Sequence, residues 1–407
     1  MRAMIDCRVT EDDRTPESRY RRAVSGKRTA GQPIAALVMA LAAGCGGGLP
    51  SQSTTGTAGS IGTAGTTGSG AAGFGGAGGI GGGGIDGGPV GGCAWSLLNQ
   101  EYRAVGPMFW DAPGQRLILI DHADNFLTLL PSPSLWVLPA AGARPSLLID
   151  SRASVVHDIS RRRILVFGSG GSDTASRLFE LTLDDTPTWS EITMAGSIPS
   201  LRNGSAAALD PASDRMVVCC GSHYPDTFHD TAALALGGGG APTWQSIDAT
   251  SPFTDELDQP FGTIWDPARS RMLVRLMASG QIWSLAEGNG GSWVQLLADP
   301  ALTHLDWQPG PRLDVYDPVG DALLVAGAIR TDDPNVDFAL HLYRLPLGGT
   351  TSGFTEVAAG NRPRRSSVSG NYPMAYDPAA DRLFVQIDGY NAGTKSEIWS
   401  LPLGECR

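Results

Sequence analysis

Three groups of side chains in this 407-residue sequence have types and spacings that could support chemistry. Arg103, Arg152, Arg202, Arg312 and Arg365 recur along the chain. Guanidinium groups brought together would hold a carboxylate or another anion through forked hydrogen bonds; dispersed, each would pair with a neighbouring Asp or a backbone carbonyl. His223, Asp226, His229 and Asp230 crowd two imidazoles and two carboxylates into eight residues, a set able to bind a metal or move a proton. A six-residue His spacing in a loop matches no established ligand pattern, so solvated loop polarity is the preferred reading and no cofactor is expected. The acidic runs Asp332, Asp333, Asp337 and Asp255, Glu256, Asp258 offer hard oxygens to Ca²⁺ but lack the Gly-hinged spacing of a calcium loop. No GxSxG elbow places a serine nucleophile.

The elements that must position these groups come from internal repetition. Six segments share an apolar run, an Asp-led turn and a second apolar run: FWDAPGQRLILI from Phe109, VHDISRRRILVF from Val156, ALDPASDRMVVC from Ala208, IWDPARSRMLVR from Ile264, VYDPVGDALLVA from Val315 and AYDPAADRLFVQ from Ala375. Asp followed by Pro opens a type I turn, because the carboxylate accepts local N–H groups and Pro presets φ. Each segment therefore reads as a hairpin, with Arg116, Arg163, Arg215, Arg271 and Arg382 bracing the turns. A third strand is expected at LWVL (135), LFEL (178), LALG (234), IWSL (282), LYRL (342) and IWSL (398). A fourth is expected at PSLLID, TWSEI, TWQSI, SWVQLL and FTEV, and four short strands per unit of about 50 residues is the arithmetic of a propeller blade. The last unit lacks its fourth strand, and AWSLLN from Ala94 stands ahead of the first hairpin to supply it.

Over residues 93–407 this pattern resembles kelch-type repeats, with Trp95, Trp189, Trp244 and Trp293 in the fourth strands and the Gly pair reduced to fragments such as FGSGG from Phe167. The resemblance implies an all-β, six-bladed β-propeller of four-stranded antiparallel blades, closed by the N-terminal strand completing the last blade. Closure would bring Cys93 and Cys406 together, and a disulfide between them is expected in an oxidising compartment. Cys219 and Cys220 read as two buried thiols. The uniform hairpins should form a scaffold face and the dissimilar loops the opposite face, where binding resides on repeat scaffolds. The five arginines each precede the innermost strand of a blade on that loop face. A copper oxidase of the kind known among kelch proteins is excluded by the lack of a loop Cys for its cross-link.

Ahead of the folded part, residues 1–44 read as an export leader, with an apolar run at 34–43 after Arg21, Arg22, Lys27 and Arg28. AAGC, ending at Cys45, resembles a bacterial lipobox and implies a lipidated Cys45; plain cleavage of the leader is the alternative. Residues 46–92 contain 22 Gly and one charged side chain, Asp86, the composition of a flexible tether reaching roughly 35–40 Å. No run of 18 apolar residues exists to span a membrane. A formal net charge of -11, with only Lys27 and Lys395 as lysines, argues against nucleic acid as a partner. The expectation is an exported, lipid-anchored monomer of the cell envelope, more a binding module than an enzyme, presenting its loop face to a glycan or protein. A carbohydrate-active enzyme acting on an acidic sugar at an Arg-lined channel mouth is the alternative.

Overall fold

The computed structural model describes residues 92–407 apart from 103–105, 121–125, 130–134, 139, 143–152, 169–174, 203, 224–225, 248, 254–259, 277–278, 287–290, 299–313, 331–337, 350–352, 366–371 and 388–395. The chain divides into two compact units, Met1–Gly78 and Gly79–Arg407, and every described residue belongs to the second. The leader, Cys45 and nearly all of the tether lie outside the described residues. Among the described residues no helix is long and apolar enough to cross a membrane.

The described part of the second unit is an all-β propeller. After β1 (Ser96–Tyr102) comes sheet I, formed by β2 (Met108–Asp111), β3 (Arg116–Ile120), β4 (Phe126–Leu129) and β5 (Leu135–Leu138). Sheet II contains β6 (Ala141–Gly142), β7 (Ser154–Asp158), β8 (Arg163–Gly168), β9 (Arg177–Thr182) and β10 (Thr188–Ile192). Sheet III is built from β11 (Ala195–Gly196), β12 (Ala206–Asp210), β13 (Arg215–Cys219), β16 (Thr231–Ala235) and β17 (Thr243–Ile247), and between β13 and β16 the chain forms a separate two-stranded hairpin of β14 (Ser222–His223) and β15 (Asp226–Thr227). Sheet IV holds β18 (Pro260–Asp266), β19 (Arg271–Leu276), β20 (Ile282–Ala286) and β21 (Ser292–Leu297). Sheet V holds β22 (Val315–Asp317), β23 (Ala322–Arg330), β24 (Phe338–Pro346), β25 (Thr355–Glu356) and β26 (Arg364–Arg365), the last two both pairing with β24. These five sheets each draw on one stretch of chain. The remaining sheet is composite: β27 (Met374–Asp377), β28 (Arg382–Ile387) and β29 (Ser396–Pro402) take β1 as their outer strand, antiparallel to β29 with Ser96 opposite Ser400. Cys93 and Cys406 form a disulfide beside this junction, their Cα atoms 4.9 Å apart.

Strand alternation sends successive side chains to opposite faces, and among the described residues each pair of neighbouring sheets encloses an apolar cluster between them. Phe109, Ile118, Val155 and Val166 join sheets I and II, for example, and Met108, Leu119, Ala375 and Phe384 join the composite sheet to sheet I. Trp95, Trp189 and Trp244 are fully enclosed in these interfaces. An indole of about 150–250 Å² contributes roughly 4–6 kcal/mol by area removed from water.

In the hairpin turns of sheets I, II and III one Asp is used twice. In Asp111, Asp158 and Asp210 the Oδ1 atom accepts turn N–H groups and Oδ2 accepts from the Arg five residues on, with Nε distances of 2.8, 3.0 and 3.2 Å to Arg116, Arg163 and Arg215. Arg271 does the same for Asp266 at 2.8 Å. In sheet V the place of that Arg is taken by Ala322, and Arg407 instead donates to both oxygens of Asp317 and to Asp381. Other arginines tie one turn to the next: Arg161 to Asp214 and Arg269 to Asp321. The residue four places after each leading Asp is left-handed, at φ between 43° and 50°, in all six turns.

Two expectations are corrected. In sheet I the third strand is β4, FLTL, and LWVL is the fourth strand β5; PSLLID lies outside the described residues. The blades are also not uniformly four-stranded, because an Ala-Gly pair from one sheet's exit adds a parallel pairing to the outer strand of the next. Ala141–Gly142 pairs with Thr188–Trp189, Ala195–Gly196 with Thr243–Trp244, and Gly360 bridges Ala94. Gly142 and Gly196 sit at φ +89° and +82° against the carbonyls of Trp189 and Trp244, closer than any Cβ could approach.

Candidate functional site

Of the five arginines singled out, the side chain of one is described, and it faces inward. Arg202 is 1% exposed. Its Nε donates to Ser200 O at 3.0 Å, Nη1 to Cys220 O at 3.1 Å and Nη2 to Asp230 Oδ2 at 2.8 Å, while its guanidinium lies 4.6 Å from the Phe228 ring centre. Cys220 presents that carbonyl from a left-handed conformation at φ 64°. Arg103, Arg152 and Arg312 lie outside the described residues, and of Arg365 only the backbone, paired with Phe338, is described.

The His and Asp group is not brought together as one site. His223 and Asp226 are exposed and face each other across the β14–β15 hairpin; Asp230 is engaged by Arg202; His229 is partly buried and its carbonyl accepts from Ser251 N. Among the described residues no three His, Cys, Asp or Glu side chains are placed to hold a metal. Asp255, Glu256, Asp258, Asp332, Asp333 and Asp337 lie outside the described residues. Cys219 and Cys220 are free, buried thiols, and burial together with a hydrogen bond between the two pushes the Cys219 thiol up. These groups form a structural knot: Arg202 fixes the chain on either side of the 222–227 hairpin, and the hairpin carries the exposed polarity.

A second feature was not anticipated from the sequence. The innermost strands of all six sheets line one central cavity of about 380 Å³ that reaches the hairpin turns at Ala112, Ile159, Pro318 and Pro378. The residue just before each turn Asp contributes one large side chain: Trp110, His157, Leu209, Trp265, Tyr316 and Tyr376. Each is partly buried and sits at a different sheet interface. Trp110 stacks on Phe384 of the composite sheet with ring centres 5.4 Å apart, and His157 packs against Phe109 of sheet I in a tilted pair with ring centres 5.5 Å apart. The Tyr316 and Tyr376 hydroxyls donate to Asp321 and Asp381, which spends their polarity at the turns. Burial lowers the His157 pKa to about 4, overcoming the pull of Asp111 and Asp158, so the imidazole is neutral at pH 7. Asp314, at the far end of the lining, is held by Arg275 through two hydrogen bonds of 2.8 and 2.9 Å, both residues being buried. The column W, H, L, W, Y, Y ahead of the turn Asp is visible in the repeats. Its position inside apolar runs makes it read as core, which hides its place on the axis.

No protein-family model matches the chain, and no curated protein matches it either. Among solved structures it is similar to an auxiliary nutrient binding protein from Bacteroides ovatus, at 9% identity over 76% of each chain and a TM-score of 0.47. It is also similar to a structural genomics protein of unknown function from Bacteroides thetaiotaomicron, at 9% identity over 76% of each chain and a TM-score of 0.49. A luciferin-regenerating enzyme shares 12% identity over 76% of this chain and 95% of that one, with a TM-score of 0.45. The likeness is one of fold.

Proposed function

We propose that this chain is an exported binding module. Lipid on Cys45 anchors it to the cell envelope, residues 46–92 tether it, and its sheets act as the six blades of a closed, kelch-like ring, working as a monomer. The face opposite the Asp-led turns takes a glycan or protein ligand, with the exposed 222–227 hairpin and Arg103, Arg152, Arg312 and Arg365 as contacts. The observation that supports this reading is the Arg202 knot. A guanidinium buried to 1% exposure, a left-handed Cys220 and the Asp230 carboxylate are all committed to fixing the base of one exposed hairpin. Burying a charge is costly unless every donor is satisfied, and variable loops on a rigid repeat scaffold are where recognition concentrates.

A glycan array probed with the full chain, acidic sugars included, tests the reading, with each hit followed for turnover by mass spectrometry. Binding without turnover is expected, weakened at least tenfold by His223→Ala with Asp226→Ala. Turnover of a bound sugar would overturn the non-enzymatic reading, and affinity unchanged in the double variant would remove the hairpin from the site. If the array is silent, co-purification of a defined protein partner, lost in the double variant, must take its place for the reading to stand.

A further inference from the structure

We propose that the central cavity is a second binding site, independent of the loop face, for an uncharged, largely apolar small molecule bearing a ring. Its volume of about 380 Å³ falls within the range of small-molecule pockets and equals about a dozen waters at ~30 Å³ each. Structural apolar voids in cores are far smaller than this, because interiors pack to crystal density. Six inner strands converge on the space without filling it, so the cavity is a property of the whole ring.

The chemistry of the lining selects the ligand. Trp110, Trp265, Tyr316 and Tyr376 supply aromatic rings, and Leu209 and Ile159 supply aliphatic surface. The described part of the lining contains two other ionisable groups. Asp314 is neutralised by the bidentate Arg275, and His157 is neutral because it is enclosed against Phe109. With no cation among the described lining residues to pair with, an anion would lose its hydration without compensation. Polar side chains among the described lining residues are also too few for a fully hydroxylated sugar, whose hydroxyl groups would be left unpaired. An uncharged ring instead displaces poorly held water from apolar walls and stacks on aromatic faces. Ile159, 54% exposed beside the opening, gives the site an apolar lip on the turn face.

Titration of the full chain with N-phenyl-1-naphthylamine, an uncharged probe that brightens in apolar surroundings, tests the assignment, with its sulfonated relative 1-anilinonaphthalene-8-sulfonate as the anionic control. Expected are saturable one-to-one binding of the uncharged probe with a Kd of about 10 µM, a modest value for a ligand of this size, and sulfonate binding at least tenfold weaker. Leu209→Trp should fill the cavity and weaken the uncharged probe at least tenfold. Ile159→Asp, a change at an exposed position that the fold tolerates, should weaken it by placing a charge at the lip. Non-saturable binding, equal affinity for the two probes, or full affinity in either folded variant would overturn the assignment. The loop-face variant His223→Ala with Asp226→Ala should leave probe affinity unchanged, and a loss there would refute the independence of the two sites.

Discussion

Removing one partner of the Arg275–Asp314 pair should cost far more than replacing both. The pair links sheet IV to the start of sheet V; its side chains are 1% and 4% exposed, its two hydrogen bonds measure 2.9 and 2.8 Å, and Asp314 rests directly on the backbone of Gly262. Asp314→Asn keeps the shape but removes the carboxylate charge that faces the buried guanidinium, a loss of about 3–5 kcal/mol. For a folded part of about 315 residues the unfolding entropy is ~0.7 kcal/mol/K, so the melting temperature should fall by about 5–7 °C. Arg275→Met with Asp314→Leu exchanges the pair for apolar side chains of similar volume and should come within about 1 kcal/mol of the parent. A double-mutant cycle read by urea unfolding and calorimetry would measure the coupling. If Asp314→Asn melts within 1 °C of the parent, the pair is not desolvated as described. If the double variant is as unstable as the single one, the site demands charge for a reason other than mutual compensation.

The disulfide and the buried histidine yield two further expectations. Cys93–Cys406 closes a loop with a sequence separation of 313, for which chain entropy alone assigns ~5–6 kcal/mol. Reduction of the full chain should lower the melting temperature by about 7–9 °C and make β1 the first site of proteolytic cleavage in the folded part; an unchanged melt in dithiothreitol would refute this. His157 has a folded pKa of about 4, below its unfolded value of about 6.5. The unfolded state therefore binds more protons between these values, so stability is complete above pH 6.5 and is lost as pH falls towards 4, by ~3 kcal/mol in all. His157→Gln should flatten that part of the stability–pH curve, and a slope that persists in the variant would place its origin elsewhere.

What could be read from the sequence was what is local. Asp-led turns carry their own hydrogen bonds, so the hairpins and the bracing roles of Arg116, Arg163, Arg215 and Arg271 were legible from single segments. The composite sheet was legible by counting, since one strand was missing at one end and spare at the other. The Ala-Gly stitches were not, because two residues are too few to show periodicity and their pairing is parallel and between sheets. β4 was missed because FLTL lies close behind β3 and LWVL carries the more conspicuous aromatic. For Arg202 the sequence left two readings open, an anion contact or pairing with an Asp and backbone carbonyls, because an arginine's type says nothing of which way it faces; the structure shows the second, on Asp230 and the carbonyls of Ser200 and Cys220. The cavity side chains were hidden for the related reason that Trp110 and Tyr376 can serve equally as core or as wall.

The pairing of β1 with β29 has a consequence in time. Ser96 and Ser400 are partners across the junction, so at ~5–20 residues per second roughly 15–60 s of synthesis separates the two strands. Throughout that interval β1 has its hydrogen-bonding edge open and nothing of its own sheet to join. The ring cannot be finished blade by blade; its last act of assembly uses its first strand. A chain interrupted before β29 would carry an unpaired edge at each end, which makes late truncation more hazardous to this fold than an early error in any single turn.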